Sequence, residues 1–534
     1  MPVINVVQFA GERPKLAPHL LPNENATKAH NCDFEVGTLR PYKGALDTSD
    51  SVSAMAKTIY RYADLHWLYW SKDVDVVLSP IAQDPWGRVY YTGDGYPKVT
   101  NNQIIAGDGA PINYRLGVPA PDTRLNGVVN PPSPVPDKDS PDDDETRFYV
   151  YTWLTGSGEE GPPSPISNQL EIKYPNSTVD LTLPALGTQS SNITKRRIYR
   201  SATGGGVAGF FLVAELAPSA LSYTDSLTVS ELGQQLESEG YEMPNEKMTN
   251  LTLMPNGIMA GSFDNSVCFS EPFLPHAWNP AYRLTTQYDI VAMAAVGNTL
   301  VVGTKGYPEI FQGVSPDAMS GRKLSSKQAC VSKRSMKNID NLIVYAAPSG
   351  LVAFDGSDVK LVTGNIIKKE QWEALQPETI EAYYYDGNYL AFYGAGLNKA
   401  FIFNPVRQDI VFFDLGFDTA FEKLVTGELL VKKSDGTIAN WNKGTNLNVT
   451  FKSKEYRNLY PTFSTIYVLS EDNTKVGLRI YADGALVHDY HPTKVEDVPF
   501  RIPPARGKVW QFEAYGDVEI TRVCLATSVA EVYG

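Results

Sequence analysis

Cysteine is scarce: Cys32, Cys268, Cys330 and Cys524 lie far apart in 534 residues and never form a C-x-x-C pair. That pattern excludes a disulfide framework and leaves four small apolar side chains suited to a reducing compartment. Histidine is nearly as rare, with six residues (His19, His30, His66, His276, His488 and His491), and none has partners at a metal-binding spacing. No apolar run approaches the roughly 18 residues that a membrane-spanning helix needs. The opening MPVINVVQFAGERPKL has no basic segment followed by an apolar core, so no secretion signal is expected. Positive charge is in deficit, with 47 basic against 60 acidic residues and a net charge of −13. Such a chain repels nucleic acid at long range, which disfavours tight DNA binding but suits a conduit through which DNA must slide.

Catalytic signatures are missing as well. There is no G-x-S-x-G nucleophile elbow. Gly204-Gly205-Gly206 is followed by Val207-Ala208-Gly209 instead of the Lys and Ser or Thr of a phosphate-binding loop, and it reads as a hairpin turn. Ser434 to Trp441 (SDGTIANW) matches a sialidase Asp-box only in part, and a turn at Asp435-Gly436 with Trp441 in a core is the simpler reading. The sequence predicts a non-enzyme with no cofactor and no metal.

What is abundant points to β-structure. Thirty tyrosines, 21 phenylalanines and 8 tryptophans, with 42 glycines and 37 prolines, favour strands and turns. Consecutive hairpins are predicted at Gly257 to Pro272, Val291 to Gly313, Leu342 to Gly356, Glu381 to Gly394 and Leu429 to Trp441, with turns at sites such as Asp264-Asn265, Gly297-Asn298 and Asp386-Gly387. They recur at roughly the 40 to 50 residues of one four-stranded blade, so the expected fold is all-β, an irregular β-propeller. No WD or kelch signature accompanies them, and a series of β-sandwiches is the alternative.

Lys57 to Tyr91 has the same texture and supplies one or two blades ahead of an insertion. The Pro131 to Glu145 linker, rich in proline and acids, marks a domain boundary. The predicted organisation is an N-terminal arm and first blades (1–114), a linker and inserted sandwich (115–240), the remaining blades (241–446) and a C-terminal antiparallel β-domain (447–534). One helix is expected within Lys368 to Ile380, with Trp372 and Leu375 on one face. Two basic clusters, Lys195-Arg196-Arg197 with Arg200, and Lys323, Lys327, Lys333, Arg334 and Lys337, read as solvated faces or subunit contacts, with DNA phosphate contact the sharper alternative.

In the insertion, the EEGPPSPIS turn after an aromatic strand, and the IYR strand followed by a glycine-rich turn and YTD, resemble a fibronectin type III domain. That likeness implies a spacer or interaction module. Three other stretches resemble the tail nozzle, tail tubular protein B or packaged-DNA stabilisation proteins of short-tailed bacteriophages. They are Leu21 to Gly44 (LPNENATKAHNCDFEVGTLRPYKG), Phe269 to Gly356 (including FSEPFLPHAWNPAYR and VYAAPSGLVAFDG) and Val498 to Val532. This resemblance implies a structural virion protein of the phage tail, assembled in the host cytoplasm. It would form a ring, a hexamer in the expected case, below the portal and adaptor, as conduit and gate for DNA retention and ejection. Partners would be its own copies, the portal, adaptor and other tail proteins, and passing DNA without sequence-specific binding. The chain is shorter than the large nozzle proteins and carries the extra sandwich, so nozzle and tail-tube positions both stay open. Within the strongest stretch, Pro275, His276, Trp278 and Pro280 are candidate structural or subunit contacts, or else a rigid loop packed on its own propeller. The alternative functions are a carbohydrate-binding or glycan-cleaving propeller and a peripheral host-attachment protein.

Overall fold

The computed structural model describes residues 3–136, 144–204, 207–457 and 462–533. Its tight turns form where small and acidic residues permit left-handed backbone. Asp386 and Gly387 take φ of 50° and 70°, joining Glu381–Tyr385 to Asn388–Tyr393, and Asp264 takes 51° in the next-but-two hairpin upstream.

The hairpins assemble into a β-propeller. Blade 1 is the pair Thr58–Tyr62 and His66–Trp70, extended by a bridge from Leu68 to Gly109. Blade 2 starts at Asp75–Leu78, blade 3 at Thr249–Leu253, blade 4 at Ile290–Val296, blade 5 at Lys337–Ile339, blade 6 at Glu381–Tyr385 and blade 7 at Thr419–Lys423. From blade 2 through blade 7 and on to blade 1, these first strands lie side by side and surround the axis. Apolar cores fill each gap between blades. Trp67 and Ile59 meet Ile438 between blades 7 and 1, Trp70 meets Tyr91 between 1 and 2, and Tyr90 meets Cys268 and Trp278 between 2 and 3. Phe269 meets Phe311, Ile310 meets Tyr345, Trp372 packs with Phe401, and Leu429 packs with Phe392 in the four remaining gaps. Seven such seams close a ring of seven blades.

Closure is made by the N-terminal segment. Leu46–Ser51 is the outermost strand of blade 7, antiparallel to Thr437–Asn440. Ahead of it, Ala10–Glu12 and Asn25–His30 sit between blade 6's last strand, Asp409–Phe413, and Val449–Ser453 of the C-terminal domain. Blade 6 therefore continues edge to edge into that domain as one sheet. A second sheet, in which Ile4–Val6 pairs with Ile520–Ala526, covers it, and Phe451, Phe463, Trp510 and Phe512 fill the space between.

The inserted sandwich has a sheet of Asn126–Asn130, Thr178–Thr182 and Ser222–Asp225 facing one of Tyr149–Thr155, Ile193–Gly204 and Val207–Leu216, over a core that includes Tyr151, Leu181 and Ile198. Gly205, Gly206 and linker residues 137–143 lie outside the described residues. The predicted helix is shorter than its sequence pattern. It covers Lys369–Glu373 and yields to a 3-10 turn at Pro377–Thr379, where proline cannot donate to a continuing helix. Its Trp372 is fully buried between blades 5 and 6 and donates from Nε1 to the Ala347 carbonyl at 2.8 Å.

Candidate functional site: the propeller axis and the insertion seam

The axis is crossed by ion pairs at the end where the inner strands begin. Lys333 and Arg334 precede blade 5's first strand and reach over to blades 1 and 2. Lys333 Nζ lies 2.9 Å from Asp75 and 3.5 Å from Asp73, while Arg334 pairs with Asp73 and donates to Thr58 Oγ1 at 2.7 Å. Asp75 also accepts from the Asn250 backbone of blade 3 at 2.8 Å. Lys337 lies 3.5 Å from Glu422 of blade 7. Glu381 of blade 6 completes the group. Burial pushes its carboxyl up to about 7, against the pull of Arg334 and with the push of Asp73. A cavity of about 210 Å³ beside the bridge is lined by Asp75, Asn250, Lys333, Arg334 and Lys337.

This arrangement divides the second basic cluster. Lys333, Arg334 and Lys337 turn inward and are neutralised by carboxylates, whereas Lys323 and Lys327 remain exposed on the rim. The first cluster is a solvated face only in part, at Lys195 and Arg197. Arg196 is fully buried between the rings of Tyr151 (4.8 Å) and Trp153 (4.4 Å), and its guanidinium donates to the Pro184, Pro218 and Ala220 carbonyls. Arg200 is also fully buried and pairs with Asp225 at 2.7 Å; Arg197 and Lys195 are held by Glu160 and Glu215. Aromatic faces and a buried acid bring Arg196 and Arg200 inside the sandwich, where a weakly hydrated guanidinium is tolerated, while Lys195 stays exposed at the surface.

The four candidate contacts fall at the seam where the sandwich docks on the propeller. Pro275, His276 and Trp278 are buried within their own chain, and Pro280 is half-buried at the start of a 3-10 turn. Trp278 exchanges two backbone hydrogen bonds with Glu242 (3.0 and 3.2 Å), and its Nε1 donates to the Pro275 carbonyl at 2.8 Å. His276 stacks edge-on against Tyr241 and has Nδ1 4.0 Å from Glu159. Burial holds its pKa below the ordinary histidine range, outweighing the attraction of Glu159. Beside it, Arg88 of blade 2 donates to Asp84 and to Glu159 of the insertion, each at 2.8 Å, with all three side chains under 10% exposed. Sequence reasoning missed Arg88, Asp84 and Glu159, since nothing in WGRVYY or SGEEG marks an ion pair that spans 71 positions.

Elsewhere, a cavity of about 480 Å³ lies between the N-terminal arm, the short helix and blade 6, lined by residues including Glu12, Leu16, Leu21, Ile367 and Phe412. Glu12 Oε1 accepts from the Ala29 N–H at 2.6 Å, and burial pushes its carboxyl up to about 8. All four cysteines are free and buried. Among the described residues no cluster of His, Cys, Asp or Glu could hold a metal ion, and no helix is long and apolar enough to cross a membrane.

The chain is thus an all-β protein, a propeller with an inserted sandwich and a C-terminal antiparallel domain. No family model and no curated protein matches it. Among solved structures it is similar to BamB from Moraxella catarrhalis, at 10% identity and a TM-score of 0.32 over 74% of this chain and 97% of that one. It is also similar to apo AztD from Citrobacter koseri (11%, 0.26, over 68% and 100%) and to Hsv2 from Kluyvelomyces marxianus (8%, 0.26, over 59% and 94%). At such scores the propeller assignment stands on the ring of sheets itself.

Proposed function

We propose that this chain is a structural subunit of a short-tailed bacteriophage tail, forming a ring below the portal and adaptor that retains packaged DNA and conducts it during ejection. The observation that carries this reading is spatial. Two of the three stretches that resemble tail nozzle and tail tubular proteins, separated by more than 450 positions, are hydrogen-bonded to each other. Leu39 and Ile520 exchange backbone hydrogen bonds at 3.0 and 2.9 Å, and Gln511 Nε2 donates toward Thr27 Oγ1. The third stretch runs from the third strand of blade 3 through blade 4 to the third strand of blade 5. Resembling segments that meet in one folded unit are a stronger sign than the same segments scattered over unrelated surfaces.

The mechanism is passive. Lys333 and Arg334 cross the axis of a single propeller, so the passage for a duplex lies between copies, around the symmetry axis of a ring. With a net charge of −13, that passage repels phosphate and lets DNA move without trapping. Negative-stain imaging of the purified protein and of virions tests the proposal: rings, and density on the axis of the tail, are the expected result. Dispersed monomers, or density on peripheral fibres, would overturn it. Polysaccharide cleavage by isolated monomer would overturn it in favour of a glycan-active propeller.

A further inference from the structure

The cavity of about 480 Å³ beside the N-terminal arm has the size of a small-molecule site, for which roughly 300–1,000 Å³ is typical. Its walls are mainly apolar. Leu16 and Leu21 come from the arm, Ile367 and Leu375 flank the short helix, and Phe412 comes from blade 6. Two cations, Arg13 and Lys368, belong to the same lining, and Lys15 is exposed two positions along the arm from Arg13.

These cations are not neutralised. Arg13 Nη2 donates to the Arg407 carbonyl at 3.2 Å and Lys15 Nζ to the Gly364 carbonyl, and neither they nor Lys368 forms an ion pair among the described residues. Arg13 Nε is buried with no hydrogen-bond partner among those residues. The one carboxyl in the lining is Glu12, and burial pushes it up to about 8, so at neutral pH it cancels little of this charge. Two other cavities lack the combination. At the axis, Lys333, Arg334 and Lys337 each face a carboxylate. A cavity of about 320 Å³ between the arm and the C-terminal domain is lined by Asp33, Glu471 and Glu519, with Arg40 paired to Asp33 at 2.7 Å.

We infer that this cavity binds a single-chain amphiphile with a carboxylate head, the chemistry of a medium-chain fatty acid. The apolar walls take the chain, and the carboxylate accepts from Arg13, whose planar guanidinium has an N–H without an acceptor, with Lys368 as the second cation. A cationic amphiphile would bring more positive charge to cations that already lack partners. A neutral one would leave the buried N–H unmet, at the cost of an unsatisfied donor. Because the arm forms one wall, an occupant holds the arm against blade 6, beside the splice from that blade into the C-terminal domain. The inference stands apart from the ring proposed above.

Isothermal titration calorimetry on the full chain at neutral pH tests it with three probes of one chain length: decanoate, decylammonium and decan-1-ol, each kept below micelle-forming concentrations. Decanoate is expected to bind at one site per chain, at least about tenfold tighter than the other two. Arg13→Gln is expected to weaken decanoate about tenfold and Lys368→Gln about threefold, with decan-1-ol unchanged by either. Leu375→Trp fills the cavity and is expected to abolish binding. Melting curves without probe show whether each variant is folded; should Leu375→Trp not fold, Arg13→Gln decides alone. Absence of decanoate binding overturns the inference, as does equal binding of the alcohol, or binding that Arg13→Gln leaves undiminished. Preference for decylammonium overturns it too, and makes an ionised Glu12 the anchor instead.

Discussion

At the scale of single residues, two buried carboxyls are displaced far from their ordinary chemistry. Glu12 is raised to about 8 and Glu381 to about 7, in both cases chiefly by burial. A raised carboxyl binds its proton more tightly in the folded state, so its contribution is fully present below the ordinary carboxylate range and is lost as pH rises through the folded value. Glu12→Gln keeps a carbonyl oxygen to accept the Ala29 N–H and removes the charge. Its melting temperature is expected to match the parent at pH 5 and to exceed it by about 1–3 °C at pH 9; equal melting temperatures across that range would show that Glu12 ionises without cost. Backbone conformation gives a second residue-level test. Gly387, at φ 70°, forms the blade 6 turn, and Gly387→Ala is expected to cost about 1 kcal/mol in chemical denaturation because a Cβ is strained there.

Among elements, the docking of sandwich on propeller depends on Arg88, which neutralises two buried carboxylates from different parts of the chain. Arg88→Ala strands both charges, a change that typically costs about 3–5 kcal/mol. Hydrogen exchange and limited proteolysis are expected to show the insertion loosening while blades 4 to 6 keep their protection; uniform protection throughout would mean that the pair contributes nothing to docking. These elements differ in how far the sequence foretold them. Hairpins such as Glu381 to Gly394 were readable because a turn is local chemistry: Asp386-Gly387 allows the left-handed backbone, and alternating aromatics flank it. The insertion was readable from its strand spacing, but the acidic, proline-rich stretch from Pro131 is no boundary, because Asn126–Asn130 ahead of it pairs with Thr178–Thr182 inside the sandwich. The blade count was not, because Leu46–Ser51 (LDTSDS) has no apolar alternation and acquires its role only from Thr437–Asn440, nearly 400 positions away. The cationic runs misled for a related reason. Arg196 and Arg200 gain their surroundings from Tyr151, Trp153 and Asp225, and Lys333 and Arg334 from Asp73 and Asp75, so a stretch that looks solvated in one dimension is enclosed in three. The seam at Pro275 to Trp278 was singled out by resemblance alone, and its geometry, with three of the four named residues facing their own chain, is a property of the docked sandwich.

For the molecule as a whole, the N-terminal segment fastens regions that folded separately would be incomplete. Ile4–Val6 supplies an edge strand to the C-terminal domain, Ala10–Glu12 and Asn25–His30 splice that domain to blade 6, and Leu46–Ser51 closes blade 7. The buried side chains Ile4, Val6, Phe9, Ala26, Ala29, Phe34 and Leu39 all enter the core shared by blades 6 and 7 and the C-terminal domain. A closure made by residues distant in sequence ties propeller and C-terminal domain into one cooperative body. Removal of residues 1–51 should therefore do more than unpeel one strand: it exposes the core of blade 7, the blade 6 junction and one face of the C-terminal domain together. The expected outcome is loss of a cooperative thermal transition for the propeller and the C-terminal domain alike, followed by differential scanning calorimetry. If the truncated chain kept a sharp propeller transition with only the C-terminal domain lost, the two would be independent units and the splice through blade 6 would be a contact between neighbours instead of a shared sheet.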